Sequence, residues 1–138
     1  MSMANMLDGL AAYLESVGIG TVGTDIFKTD APATTNTCII IYPTGGFEGE
    51  PKLSIDNPTF QIYARSVDPS IAYNKLAAVY SALESLSGVT LDDGTYIIDC
   101  TGLQSQPAYY RKDENNPART EYSINFRFEV INKTTNRE

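Results

Sequence analysis

From Arg119 to Asn132 the chain alternates apolar and polar residues with a period of two. Tyr122, Ile124, Phe126, Phe128 and Val130 fall on one face, and Ser123, Asn125, Arg127 and Glu129 on the other. A period of two excludes an amphipathic helix and dictates a strand with one buried face. Such a strand needs partners on its edges and a layer over its apolar side.

Helical periodicity supplies the layer. Met6, Leu7, Leu10, Ala11, Leu14 and Val17 recur at i, i+3 and i+4, predicting a helix from about Met3 to Val17, stopped by Gly18 and Gly20. A second helix is punctuated by Asp68 as N-cap, Pro69 at its first position and Gly88 after its end. Its apolar stripe is Ala72, Leu76, Val79, Tyr80, Leu83 and Leu86.

Further strands are expected near Gly23–Lys28, at the β-branched run Thr37–Tyr42, at Pro58–Ser66 and near Thr95–Thr101. Tyr109 and Tyr110 continue the last of these or begin a related strand. Polar turns fall at Asp30–Asn36, Asp92–Gly94 and Lys112–Ala118, and Pro43–Lys52 reads as a loop or open hairpin tip. These strands cannot all be joined through helices, so the sheet is largely antiparallel. The predicted class is α+β: a mixed, largely antiparallel sheet of about four to five strands with two helices packed on one face. With 138 residues the chain fits a single domain, residues 1–138, with a flexible C-terminal tail from about residue 133. A chain of this size buries roughly 70% of its unfolded surface and needs no metal or disulfide to hold a core.

Charge and motif content narrow the function. The formal charge of −7 disfavours tight nucleic-acid binding, although DNA can still pass nearby. No apolar stretch is long enough for a membrane span, and no signal peptide is expected. The chain has no histidine, which excludes a His general base and a Cys–His zinc site. Cys38 and Cys100 read as free buried thiols, with a disulfide between adjacent strands as the alternative. No phosphate-cradling loop is present, because Thr44-Gly45-Gly46 is too short. Carboxylates at Asp92, Asp93, Asp113 and Glu114 flank turns, where local capping explains them better than catalysis or metal binding. No cofactor is predicted.

Two features suit contact rather than chemistry. Tyr63, Tyr96, Tyr109, Tyr110 and Tyr122 fall on or near strands, where they pack across strands or bind a partner protein or glycan. In the glycine-rich loop, Phe47 cannot be buried by its own loop, so Phe47 and Glu48 are candidate assembly contacts.

Two stretches carry a family resemblance. FQIYARSVDPSIAYNKLAAVYSAL, Phe60 to Leu83, is a strand ending in Arg65-Ser66, an aspartate turn and an amphipathic helix. QPAYYRKDENNPARTEYSINFRFEV, Gln106 to Val130, joins an aromatic pair, Asp113-Glu114, a turn, Arg119 and a strand. Together they resemble the minor capsid or tail-terminator proteins of long-tailed bacteriophages, over nearly the whole chain. That resemblance implies a virion structural protein that forms a ring, a hexamer in this family. Such a ring closes the tail tube, meets head-connector proteins and lets DNA through its lumen without specific binding. It implies no catalysis, cofactor or membrane. By position it picks out Arg65, Asp68, Asp113, Glu114 and Arg119 as assembly contacts, against strand-end capping and a satisfied turn. The alternatives are another small connector or tail component, or a tyrosine-rich protein- or glycan-binding module.

Overall fold

The computed structural model describes residues 5–50, 55–114 and 116–131. The tail expected from about residue 133 lies outside these residues.

Helix α1 spans Met6–Ser16 and buries Leu10, Ala11 and Leu14. Asn5 caps it by accepting the Asp8 N–H. At its end Ile19 N–H donates to Leu14 O and Gly18 N–H to Glu15 O, with Gly18 at φ +86°. This double closure needs a left-handed residue, which glycine supplies without strain.

Helix α2 spans Pro69–Leu83 and buries Ala72, Leu76, Val79 and Leu83. Asp68 accepts the Ser70 N–H at 2.9 Å, the capping role its sequence position suggests. The helix ends before the expected Gly88. The sheet captures the chain early: Ser85 N–H donates to Cys100 O at 2.9 Å, and the Glu84 carboxylate accepts the Gly102 N–H at 2.8 Å. Gly88, at φ +71°, serves instead the turn into the next strand, its N–H bonded to Ile97 O.

The strands are β1 (Ile26–Lys28), β2 (Cys38–Pro43), β3 (Phe47–Glu50), β4 (Ile55–Asn57), β5 (Thr59–Ser66), β6 (Val89–Thr90), β7 (Tyr96–Gly102), β8 (Ala108–Lys112) and β9 (Thr120–Ile131). Among the described residues they form one nine-stranded mixed sheet, in which β1 and β2 pair parallel and the other strand pairs are antiparallel. Strand β9 is its spine. One edge of β9 pairs with β5 and β4, the other with β8 and β7. Beyond these, β2 and β1 extend from β5, β3 from β4 and β6 from β7.

Among the described residues nine strands replace the expected four to five: each neighbour of β9 is broken in two, and the short strands β3 and β6 add to the edges. Pro58 has no N–H to give, yet its carbonyl accepts the Phe128 N–H, so pairing runs on across the break between β4 and β5. On the other edge the chain leaves the ladder after Gly102. Leu103 N–H bonds Asn125 O, and the Gln104 side chain accepts the Asn125 N–H, both at 2.8 Å. Strand β3 lies inside the expected loop Pro43–Lys52, where glycine and proline mask it.

The core follows the alternation. Ile39 and Ile41 of β2, Phe60, Ile62 and Ala64 of β5, and Ile124, Phe126, Phe128 and Val130 of β9 join the buried residues of both helices in one cluster. Register explains the shared face: Ile41 pairs Ile62, which pairs Ile124. Cys38 and Cys100 are free and buried. Their strands, β2 and β7, are separated by β5 and β9, which removes the alternative of an adjacent-strand disulfide.

Candidate functional site

Residues between the core positions point away from the helices. On this outer face lie Cys38, Ile40 and Tyr42 of β2, Gln61, Tyr63 and Arg65 of β5, and Glu121, Ser123 and Asn125 of β9. One end of the face is ionic. Arg65, Asp113 and Arg119 are 6%, 5% and 1% exposed. The Asp113 carboxylate lies 2.7 Å from Arg119 Nη2 and 3.9 Å from Arg65 Nη1. Both guanidinium groups also clamp the connection between β1 and β2. Arg65 donates to Pro32 O and, from Nε and Nη2, to Thr35 O at 3.1 and 2.9 Å. Arg119 Nη1 donates to Ala33 O at 2.7 Å and Thr35 O at 3.0 Å. A buried guanidinium needs acceptors, since burial without them is costly; among the described residues the Arg119 Nε alone of its nitrogens has none. Asp113 and Arg119 meet because they close one turn, with Asp113 N–H bonded to Arg119 O.

The network continues outward through Arg111, which donates from Nε to Glu121 at 2.7 Å and from Nη1 to Glu114 at 3.0 Å. A bulge between Tyr109 and Arg111 shifts the register against β9. It puts Tyr110 and Arg111 on the same outer face, while Tyr109 packs on Tyr122 at the helix side. Tyr63 is the hub of an aromatic cluster, with ring centroids 5.1 Å from Tyr42 and 4.9 Å from Tyr110. The Arg111 guanidinium lies 4.9 Å from the Tyr110 ring centroid. Burial, then the neighbouring Tyr110 and Tyr42 hydroxyls, push the Tyr63 phenol up to about 12. Tyr42, Gln61, Tyr63, Tyr110 and Arg111 line a cleft of about 360 Å³.

The far end of the sheet is different. Phe47 opens β3, the outermost strand beyond β4, and is 62% exposed. It belongs to an edge strand opposite Asn57, not to a loop tip. Glu48 follows it and is exposed.

The structure thus brings together Arg65, Asp113 and Arg119, with Glu114 one ion pair further out. Asp68 stands apart as the cap of α2, and Phe47 and Glu48 lie at the opposite end. Arg111, Glu121 and Tyr42 escaped the sequence reading. Arg111 does follow the aromatic pair in the second resembling stretch, but alternation places it wrongly without the bulge. Among the described residues, no group of His, Cys, Asp or Glu is arranged to hold a metal ion, and no helix is long and apolar enough to cross a membrane.

A sheet with one helix-covered face and an opposite face of ionic and aromatic contacts defines a class: an α+β subunit whose exposed chemistry suits contact. The chain belongs to the bacteriophage tail terminator protein family, whose model it matches over residues 13–131. It is a structural protein of the phage tail and a component of the virion. No curated protein sequence matches it. Its fold is similar to that of a chain in the solved virion of a native gene transfer agent particle. The TM-score is 0.52 at 20% identity, covering 88% of this chain and 83% of that one.

Proposed function

We propose that the chain is one domain that assembles with copies of itself into a closed ring, a hexamer, at the head end of the phage tail. The ring caps the tail tube, meets the head-connector proteins and leaves a lumen for DNA. Its role is architectural, with no reaction or cofactor assigned. The observation that carries this reading, beside family membership, is the pair of unlike patches at opposite ends of the sheet. One is the Phe47 edge strand and the other the Tyr63–Arg111 cleft. Unlike patches make head-to-tail contacts, which close into rings when the rotation permits. The net charge of −7 suits a lumen through which DNA slides without adhering. A lumen lined mainly by basic residues would remove that last point.

Negative-stain imaging of the purified protein, alone at high concentration and mixed with tail tubes, tests the reading. Closed rings, free or seated on tube ends, are expected. A chain that stays monomeric and leaves tube ends bare overturns it.

A further inference from the structure

Resting on that ring reading, we infer that Phe47 of one copy seats in the cleft formed by Tyr42, Tyr63 and Tyr110 of the next copy. The two surfaces cannot satisfy each other within one chain. Phe47 stands opposite Asn57, six residues before Tyr63 along the interrupted strand. At about 3.3 Å per residue that is roughly 20 Å. They also lie on opposite faces. Phe47 lines a hollow with Met6 and Val130 on the helix side, whereas Tyr63 faces outward.

Shape and chemistry match the two patches. The cleft of about 360 Å³ is walled by tyrosine rings, which take a phenylalanine edge-to-face. At the cleft Arg111 is already bonded to Glu114 and Glu121, so the contact rests on the aromatic rings and not on charge. Among the described residues both patches end in strand edges with no further partner, β3 and β8. A second copy is the occupant that uses both patches at once and leaves each subunit with the same two contacts.

Cysteine cross-linking tests this. Phe47→Cys protein is mixed with Tyr110→Cys protein at concentrations where the native chain assembles, then mildly oxidised. Cys38 and Cys100 are buried and give the background. Expected is a disulfide-linked dimer holding one chain of each kind, absent from either variant alone. A chain carrying both substitutions is expected to give a ladder of covalent multimers. As a second measurement, Phe47→Ala and Tyr110→Ala each weaken assembly about tenfold, and the double substitution weakens it by less than the product of the two. Rings seen by imaging without the mixed dimer overturn the inference and leave the ring reading standing. Dimers of Tyr110→Cys alone, or Phe47→Cys linked to a tail-tube protein instead, overturn it as well. Neither rings nor cross-links overturns both.

Discussion

Asp113 holds Arg119 at 2.7 Å inside the protein, and the pair closes a turn that also pins the β1–β2 connection through the Ala33 and Thr35 carbonyls. Arg65 joins from the neighbouring strand, 3.9 Å from the same carboxylate. One acid therefore stands between two buried guanidinium groups. The backbone carbonyls supply further acceptors without adding charge. This arrangement ties three stretches distant in sequence: the connection near Thr35, the end of β5 and the turn before β9.

Asp113→Asn keeps the shape and removes the charge. Two buried cations are then left without their carboxylate. Breaking a buried pair by neutralising one partner costs about 3–5 kcal/mol. The expected result is a loss of about 3 kcal/mol in urea unfolding at neutral pH, with an unchanged slope against denaturant.

Arg119→Lys keeps the charge and loses the fork. A lysine ammonium is a point charge and cannot span Asp113, Ala33 and Thr35 together. The connection over residues 31–36 is expected to open locally. Hydrogen exchange should rise at the Thr35 amide, now bonded to Pro32 O, while the amides of β9 stay protected. Equal protection in the native and Arg119→Lys proteins would show that Arg119 carries no clamping role.

Much of the frame is legible in the sequence because its signals are local. Asp68 and Pro69 announce α2, and the alternation through Tyr122–Val130 announces β9. The rest has non-local causes. The end of α2 depends on Cys100 and Gly102, which the chain reaches only later. The break at Pro58 creates β4, and a bulge at Tyr110 sets the face of Arg111. Neither follows from periodicity. Resemblance points to Arg65, Asp113 and Arg119, but their meeting depends on the register of β5 on β9 and on a turn. The exposure of Phe47 is legible, whereas the glycines and prolines of PTGGFEGEPK hide its strand.

Gly46 is held at φ +125°, and a Cβ there would collide with Asn57 O and lie 2.7 Å from Pro58 Cα. Both obstacles are backbone and cannot yield cheaply. Gly46→Ala is expected to cost about 1–3 kcal/mol and to displace β3 from β4. Amide resonances of Phe47 and Asn57 should shift while those of α2 stay in place.

Burial pushes both thiols up: at Cys38 it outweighs the lowering effect of Arg65 and Arg119, and at Cys100 Glu84 and Asp99 add to it. An unfolded thiol ionises near 9.0, so above that pH the unfolded chain releases protons that the native chain keeps. Stability is therefore full below pH 9 and falls as pH rises beyond it. The urea midpoint should drop between pH 8 and pH 10. The Cys38→Ala/Cys100→Ala protein should show a shallower fall, whatever its starting stability. A slope unchanged by the double substitution would assign the loss to other groups.

Phe47→Ala separates assembly from folding. The side chain is 62% exposed, so its removal forfeits little native packing, and the unfolding free energy should change by about 0.5 kcal/mol or less. In the proposed ring the phenyl group would be buried at every contact. Burying a phenylalanine contributes about 1.5–3 kcal/mol, so each contact weakens by about a factor of ten or more. Those losses act at each interface of a closed ring, which makes the population of rings far more sensitive than the melting temperature. Native mass measurement and thermal unfolding on the same sample distinguish the two. An unchanged ring population beside a lowered melting temperature would place Phe47 in the fold instead of the contact.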